Sequence, residues 1–141
     1  MLNPAQIRAR VRKHVLKRGT ESDFNITDSL CHYWWQKLNK ACFYDQLKPP
    51  VRFVIKGFHK NAGHCDVWRA NANERRVVIG INRKISSRKT FLEVMAHEMV
   101  HQWGWEIESM WNPRYHGEKF FVWTDRLKAT TGLDLCLAYE V

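Results

Sequence analysis

The segment His97-Glu98-Met99-Val100-His101 combines residue types that can hold a metal ion and move a proton. If this segment is helical, His97 and His101 lie one turn apart on one face, where two imidazoles can bind the same ion. Glu98 can then reach a water at that ion without binding the metal itself. A zinc ion lowers the pKa of such a water and polarises a carbonyl group, so the pattern predicts metal-assisted hydrolysis.

A catalytic zinc site needs a third protein ligand, and the residues after Gly104 offer several candidates. Ile107 stands where the longer pattern H-E-x-x-H-x-x-G-x-x-H would place a histidine, so that pattern fails. Glu106 or Glu108 could bind the ion only if the chain broke sharply at Gly104. His116 is preferred, because a second helix that starts there could return alongside the first. Histidines that never meet a metal remain the alternative interpretation.

The elements around these residues predict an α+β fold, with helices packed on a small three-stranded sheet. Asn3 before Pro4 is typical of a helix start. Thr90 and Glu93 match a capping box, which predicts the start of the helix that carries both histidines and ends near residue 104. Gly132 suits the end of a last helix. The predicted helices cover about 3–17, 28–43, 90–104 and 117–131, and the predicted strands cover 51–55, 64–70 and 77–81.

Length and composition are typical of one globular domain spanning residues 1–141. The chain has 141 residues, of which 45% are apolar, with no repeat, linker or low-complexity tract. No apolar stretch approaches the roughly 18 residues that a membrane span requires, so no membrane association is expected. The four cysteines are scattered without a C-x-x-C pair, which predicts reduced thiols in place of disulfides.

Residues 1–20 lack the apolar stretch of a secretory signal, which favours a cytoplasmic location. Within the cell the protein is expected to be associated with the nucleoid, or to be nuclear if the source is a eukaryote. The segment is rich in arginine and has no acid before Glu21, a composition shared by mitochondrial transit peptides and basic surface helices. The absence of serine favours a basic N-terminal helix.

The formal charge of +9 favours polyanionic partners, although solubility alone is an equally good explanation. Arg8, Arg12 and Lys13 on the N-terminal helix are candidate phosphate contacts, with a solvated basic face as the alternative. Trp105 and Trp111 lie in a segment predicted to be irregular and exposed, where they could stack on unpaired bases. Core packing is the alternative for the tryptophans.

The histidine motif together with His116-Gly117-Glu118-Lys119-Phe120 resembles the SprT-like (Spartan-type) zinc metallopeptidase family. The family pattern is H-E-x-x-H, a variable loop, and H-G-x-x-F at a helix start. Segments 35–47 and 77–85 resemble the helix and the last strand that precede the motif in the family. The likeness covers about residues 28–131.

The resemblance implies a zincin-like fold, one catalytic zinc ion bound by His97, His101 and His116, and Glu98 as the general base. It also implies cleavage of DNA-associated proteins, as in repair of DNA–protein crosslinks, with single-stranded or damaged DNA as a partner. Many members append a zinc ribbon with paired C-x-x-C motifs. This chain has no such pair, so a minimal member without the ribbon is expected.

Two further residues and two other functions remain open at the level of sequence. His64 and Tyr115 could stabilise an oxyanion if they reach the cleft. A nucleic-acid-binding module with structural zinc is the main alternative function, but structural zinc usually has four protein ligands and only three histidines stand at suitable positions. Hydrolysis of an amide other than a peptide bond is also compatible with the motif. The oligomeric state does not follow from the sequence.

Overall fold

The computed structural model describes residues 2–17, 23–58, 60–71, 73–110 and 116–135, and these residues form an α+β fold. Four helices pack on a three-stranded sheet within this part of the chain, which confirms the predicted fold class. None of these helices combines the length and apolarity that a membrane crossing requires. The elements are α1 (Pro4–Leu16), α2 (Asp28–Cys42), β1 (Phe53–Lys56), β2 (Gly63–Asn71), β3 (Glu74–Asn82), α3 (Arg88–Glu106) and α4 (Glu118–Thr131).

The sheet has the strand order β1-β3-β2, with β3 in the centre. β1 runs parallel to β3, whereas β2 pairs with β3 in the antiparallel direction. Residues 77, 79 and 81 of β3 are fully buried, and α3 packs against both β2 and β3. Because side chains alternate along a strand, Gly63 and Cys65, the partners of Ile81 and Ile79, also face α3.

α3 is the central helix of the fold, and its middle part is buried on all sides. Every residue from Phe91 to Gln102 is buried, because the sheet covers one side of the helix and α1, α2 and α4 cover the other. A helix without a solvated face must satisfy its polar side chains inside the protein. Glu93 illustrates this, since its Oε2 accepts a hydrogen bond of 2.8 Å from the backbone N–H of Asp134.

The start of α3 differs from the prediction. Ser87 is the N-cap, and its hydroxyl accepts a hydrogen bond from the N–H of Thr90, so the predicted capping box of Thr90 and Glu93 is wrong. Thr90 lies inside the first turn, and Glu93 is buried in the core, where it accepts the hydrogen bond from Asp134. At the other ends, the prediction holds: Asn3 caps α1, and Gly132 ends α4 with a φ of 80°.

Side chains also tie the outer helices to the core. Arg8 of α1 donates a hydrogen bond of 2.8 Å to the carbonyl of Ala41, at the end of α2. Cys31, Cys42 and Cys65 are buried thiols outside any disulfide, as predicted, whereas Cys136 lies outside the described residues. Burial raises the pKa of Cys31 and of Cys42 to about 12, so both thiols stay protonated at neutral pH.

Candidate metal centre

Two helices bring three imidazoles together. His97 and His101 lie one turn apart on α3, with their ring centroids 5.1 Å apart and almost no solvent exposure. His116 precedes Gly117, the N-cap of α4, and reaches the same point from the second helix. Its Nε2 lies 3.2 Å from His101 Nε2 and 3.4 Å from His97 Nε2. Among the described residues, these three histidines are the group that could hold a metal ion.

The spacing of the nitrogens fits a tetrahedral ion. Two nitrogens that each bind such an ion at about 2.0–2.1 Å lie about 3.3–3.4 Å apart. The two Nε2 separations of His116, 3.2 Å and 3.4 Å, agree with this value. Imidazole is also a preferred ligand type for zinc and other transition metals. The predicted ligands therefore form one donor set that could hold a metal ion.

Phe120 packs against all three imidazoles. Its ring centroid lies 4.9 Å from that of His97, 5.1 Å from that of His101 and 4.7 Å from that of His116. Phe120 stands one turn after His116 at the start of α4 and is buried. The ring therefore restricts the orientations of the three imidazoles. Sequence analysis gave Phe120 no role, although an aromatic residue one turn after a ligand was the available signal.

Glu98 is completely buried and lies beside the edge strand β2. A methyl group placed on Gly63 would lie 3.3 Å from Glu98 Oε2 and 2.6 Å from Val94 Cγ1. Only a residue without a side chain allows β2 to approach α3 this closely. Sequence analysis missed Gly63, because a glycine before a strand is ordinarily interpreted as part of a turn.

A polar network, buried at Trp35 and Gln102, holds the C-terminal half of α3 against α2 and the loop that follows it. Trp35 Nε1 donates a hydrogen bond of 3.0 Å to Gln102 Oε1. Gln102 Nε2 in turn donates to the carbonyl of Lys48 at 2.7 Å and to Glu106 Oε2 at 2.9 Å. The N–H of Lys48 donates to Glu106 Oε1 at 2.9 Å. Burial raises the pKa of Glu106, partly offset by these hydrogen bonds.

The histidine arrangement agrees with the comparison to known families. A model of the SprT-like family matches residues 31–137. The chain belongs to the SprT-like family. The match covers most of the chain and includes the three histidines, Glu98 and Phe120. Among curated proteins, none matches the chain. Family membership and the histidine cluster together indicate a metallopeptidase-type protein.

His64 of this SprT-like chain lies on the face of the sheet that points away from α3. Its ring lies over Gly80, the residue it pairs with on β3, and its Nδ1 is 3.2 Å from Asp66 Oδ2. Because Gly63 faces Glu98, strand alternation directs the next side chain to the opposite face. This placement gives no support to a role for His64 in stabilising an oxyanion. Tyr115, the other candidate, lies outside the described residues.

Trp105 is only 9% exposed, so the prediction that it is exposed is wrong. α3 continues through Gly104 to Glu106, which keeps Trp105 in helical register. It lies two turns after Glu98 and therefore faces the sheet. The Arg75 guanidinium lies over its ring at 4.3 Å from the centroid, and this contact leaves the indole poorly placed to stack on a base. Trp111 lies outside the described residues.

The three basic candidates for nucleic-acid contact lie on α1 of the SprT-like fold. Arg12 and Lys13 are exposed. Arg8 is half-buried and already donates to the carbonyl of Ala41. Arg8 therefore mainly connects α1 to α2. Of the three candidates, Arg12 and Lys13 are the ones whose charged groups are exposed to solvent.

Proposed function

We propose that this SprT-like chain is a zinc-dependent endopeptidase that hydrolyses peptide bonds. The observation that carries the proposal is the convergence of three imidazoles, with His116 Nε2 3.2 Å and 3.4 Å from the other two Nε2 atoms, on a helix that also carries the buried Glu98. Three protein ligands leave one position of a tetrahedral site for water or substrate, which is typical of catalytic and not of structural zinc. A bound zinc ion would supply Lewis acidity, polarising a carbonyl oxygen and lowering the pKa of water.

The side chains of this chain divide the remaining work. His97 and His101 are fixed by the central helix, whereas His116 completes the donor set from the start of α4. Glu98, the residue after His97, would accept a proton from the attacking water and pass it to the leaving amine nitrogen. Complete burial of Glu98 keeps bulk water away from this proton transfer. Packing of Phe120 against the imidazoles preorganises the site.

We infer that the substrates are DNA-associated proteins and that DNA, single-stranded or damaged, is a partner. The formal charge of +9 supports this, because such a charge attracts polyanions. Arg12 and Lys13 lie exposed on α1, where they are available to phosphates. A substrate protein held on the same DNA would be brought to the site at a high effective concentration.

The test compares the wild-type protein with Glu98→Gln and His116→Ala. Zinc content and cleavage of casein and of a DNA-bound protein are measured, with and without single-stranded DNA. Glu98→Gln should keep its zinc and lose at least about 100-fold in cleavage rate, because it lacks the proton acceptor. His116→Ala should lose zinc affinity by more than the roughly 10–100-fold that removal of an outer contact costs.

Unchanged cleavage by Glu98→Gln would rule out the proposed base. Zinc and DNA binding without cleavage by the wild-type protein would instead support the alternative function, a nucleic-acid-binding module.

A further inference from the structure

A cavity of about 190 Å³ lies between the C-terminal half of α3 and the first two turns of α4. Its walls are mostly apolar and aromatic, formed by Val100, Trp103, Phe120 and Trp123. Phe43 packs behind the two tryptophans, with its ring centroid 4.8 Å from Trp123 and 6.3 Å from Trp103. Because Phe43 and Trp123 are buried, this packing holds the wall in place, and the cavity is a preformed feature of the fold.

The cavity adjoins the candidate metal centre. The ring of His101 lines both, and Phe120 packs against the three imidazoles while forming part of the cavity wall. A peptide whose carbonyl lay at the metal centre could therefore place a neighbouring side chain in this cavity.

The charges at the cavity favour an apolar occupant. Lys119 Nζ lies 3.3 Å from Glu108 Oε2, so these two lining charges pair with each other, and the third charged lining residue, Glu118, is exposed to solvent. A charged side chain entering the cavity would lose its hydration against the aromatic walls. An apolar side chain would bind there favourably, because it would be removed from water without the loss of a polar contact.

The volume limits the size of the occupant. An apolar cavity of about 150 Å³ is large enough to hold benzene. A cavity of about 190 Å³ therefore accommodates one phenyl or branched aliphatic side chain, whereas a methyl group would leave most of it empty.

We propose that this cavity is the specificity pocket of the site and takes one large apolar side chain, such as that of leucine or phenylalanine, from a substrate residue next to the cleaved bond. The assignment rests on the proposed peptidase function. Val100, which lines the cavity beside His101, is then a specificity-determining residue. Val100→Phe would fill the pocket and Val100→Ala would enlarge it.

The experiment has two arms, of which the first does not depend on catalysis. Binding of acetohydroxamate and of 4-methylpentanohydroxamate to the zinc-loaded protein is titrated by tryptophan fluorescence, which Trp103 and Trp123 report. The longer compound should bind at least about tenfold more tightly, because its branched chain enters the pocket. In Val100→Phe this advantage should fall to about twofold or less. The control is Val122→Phe, the same substitution at an exposed position of α4 that does not line the cavity.

In the second arm, a peptide library is cleaved and the products are sequenced by mass spectrometry. The wild-type protein should prefer leucine or phenylalanine over alanine at one position beside the cleaved bond, by at least about tenfold in kcat/KM. Val100→Ala should shift this preference toward phenylalanine, which provides a readout even if Val100→Phe fails to fold.

Equal affinities of the two hydroxamates, or a preference that neither Val100 variant alters, would overturn the pocket assignment. Selective hydroxamate binding without cleavage of any peptide would support the pocket and count against the peptidase proposal instead.

Discussion

Replacement of Gly63 by alanine is expected to separate β2 from α3 beside Glu98. The added methyl group would lie 2.6 Å from Val94 Cγ1 and 2.9 Å from the carbonyl oxygen of Gly80. Neither neighbour can move easily, because valine is stiff at χ1 in a helix and the carbonyl belongs to the backbone of the central strand. The edge strand must therefore shift.

The magnitude follows from two opposing contributions. Overpacking of a close contact typically destabilises a protein by about 1–3 kcal/mol. In the opposite direction, alanine lowers the conformational entropy of the unfolded chain, which stabilises a protein by about 0.4–1 kcal/mol where alanine can adopt the native backbone conformation. The net loss should be about 1–2 kcal/mol, which lowers Tm by roughly 3–6 °C for a protein of this size. A displacement near Glu98 should also reduce the cleavage rate, by up to about 100-fold.

Urea unfolding of the metal-free protein and cleavage by the zinc-loaded protein measure the two effects separately. Gly80→Ala is the matched control, since the atoms nearest to its methyl group would all belong to the ring of His64, a side chain that can swing away from the sheet. That variant should keep its cleavage rate. Adding Val94→Ala to Gly63→Ala should partly restore the stability, and a double-mutant cycle should give a coupling energy of about 1 kcal/mol between the two positions. Wild-type stability and cleavage in Gly63→Ala would refute the close approach of β2 to Glu98.

Three further predictions concern groups outside the metal centre. Burial raises the folded-state pKa of Glu106 above 4.5. The free energy of unfolding of the metal-free wild-type protein, relative to that of Glu106→Gln, should therefore fall as the pH rises above about 4.5 and level off above the folded-state pKa. A difference in urea unfolding that stays constant between pH 4 and 8 would contradict this. Trp105→Ala should lower the free energy of unfolding in urea by about 3–5 kcal/mol without weakening DNA binding. A loss of DNA binding at unchanged stability would instead support stacking of Trp105 on a base. Arg12→Ala should leave stability within about 0.5 kcal/mol but reduce the salt dependence of DNA binding by about one unit of slope, and an unchanged slope would exclude a phosphate contact.

Local patterns predicted the helices and strands, and the spacing along one helix predicted that His97 and His101 lie close together. The separation of His97 from His101 places them on one face whatever surrounds the helix. His116 followed from the need for a third ligand and from the family motif. The SprT-like family match and the histidine cluster agree with these expectations.

Features that depend on contacts between distant segments were not predictable in the same way. The close approach of Gly63 to Glu98 depends on how β2 packs on α3, which no local pattern records. The hydrogen bond from Trp35 to Gln102 joins residues far apart in the chain. Trp105 was misplaced because Gly104 was taken as a helix end, although glycine inside a well-packed helix is tolerated.

The complete enclosure of α3 restricts how this protein can change over evolutionary time. The helix that carries Glu98 and two imidazoles is also the centre of the hydrophobic interior, so most substitutions on it alter stability and chemistry together. Substrate preference can therefore change at few positions of α3, such as Val100 at the cavity, and otherwise on the surrounding elements β2 and α4. Under the proposed peptidase function, the chemistry would then change less readily than the choice of substrate.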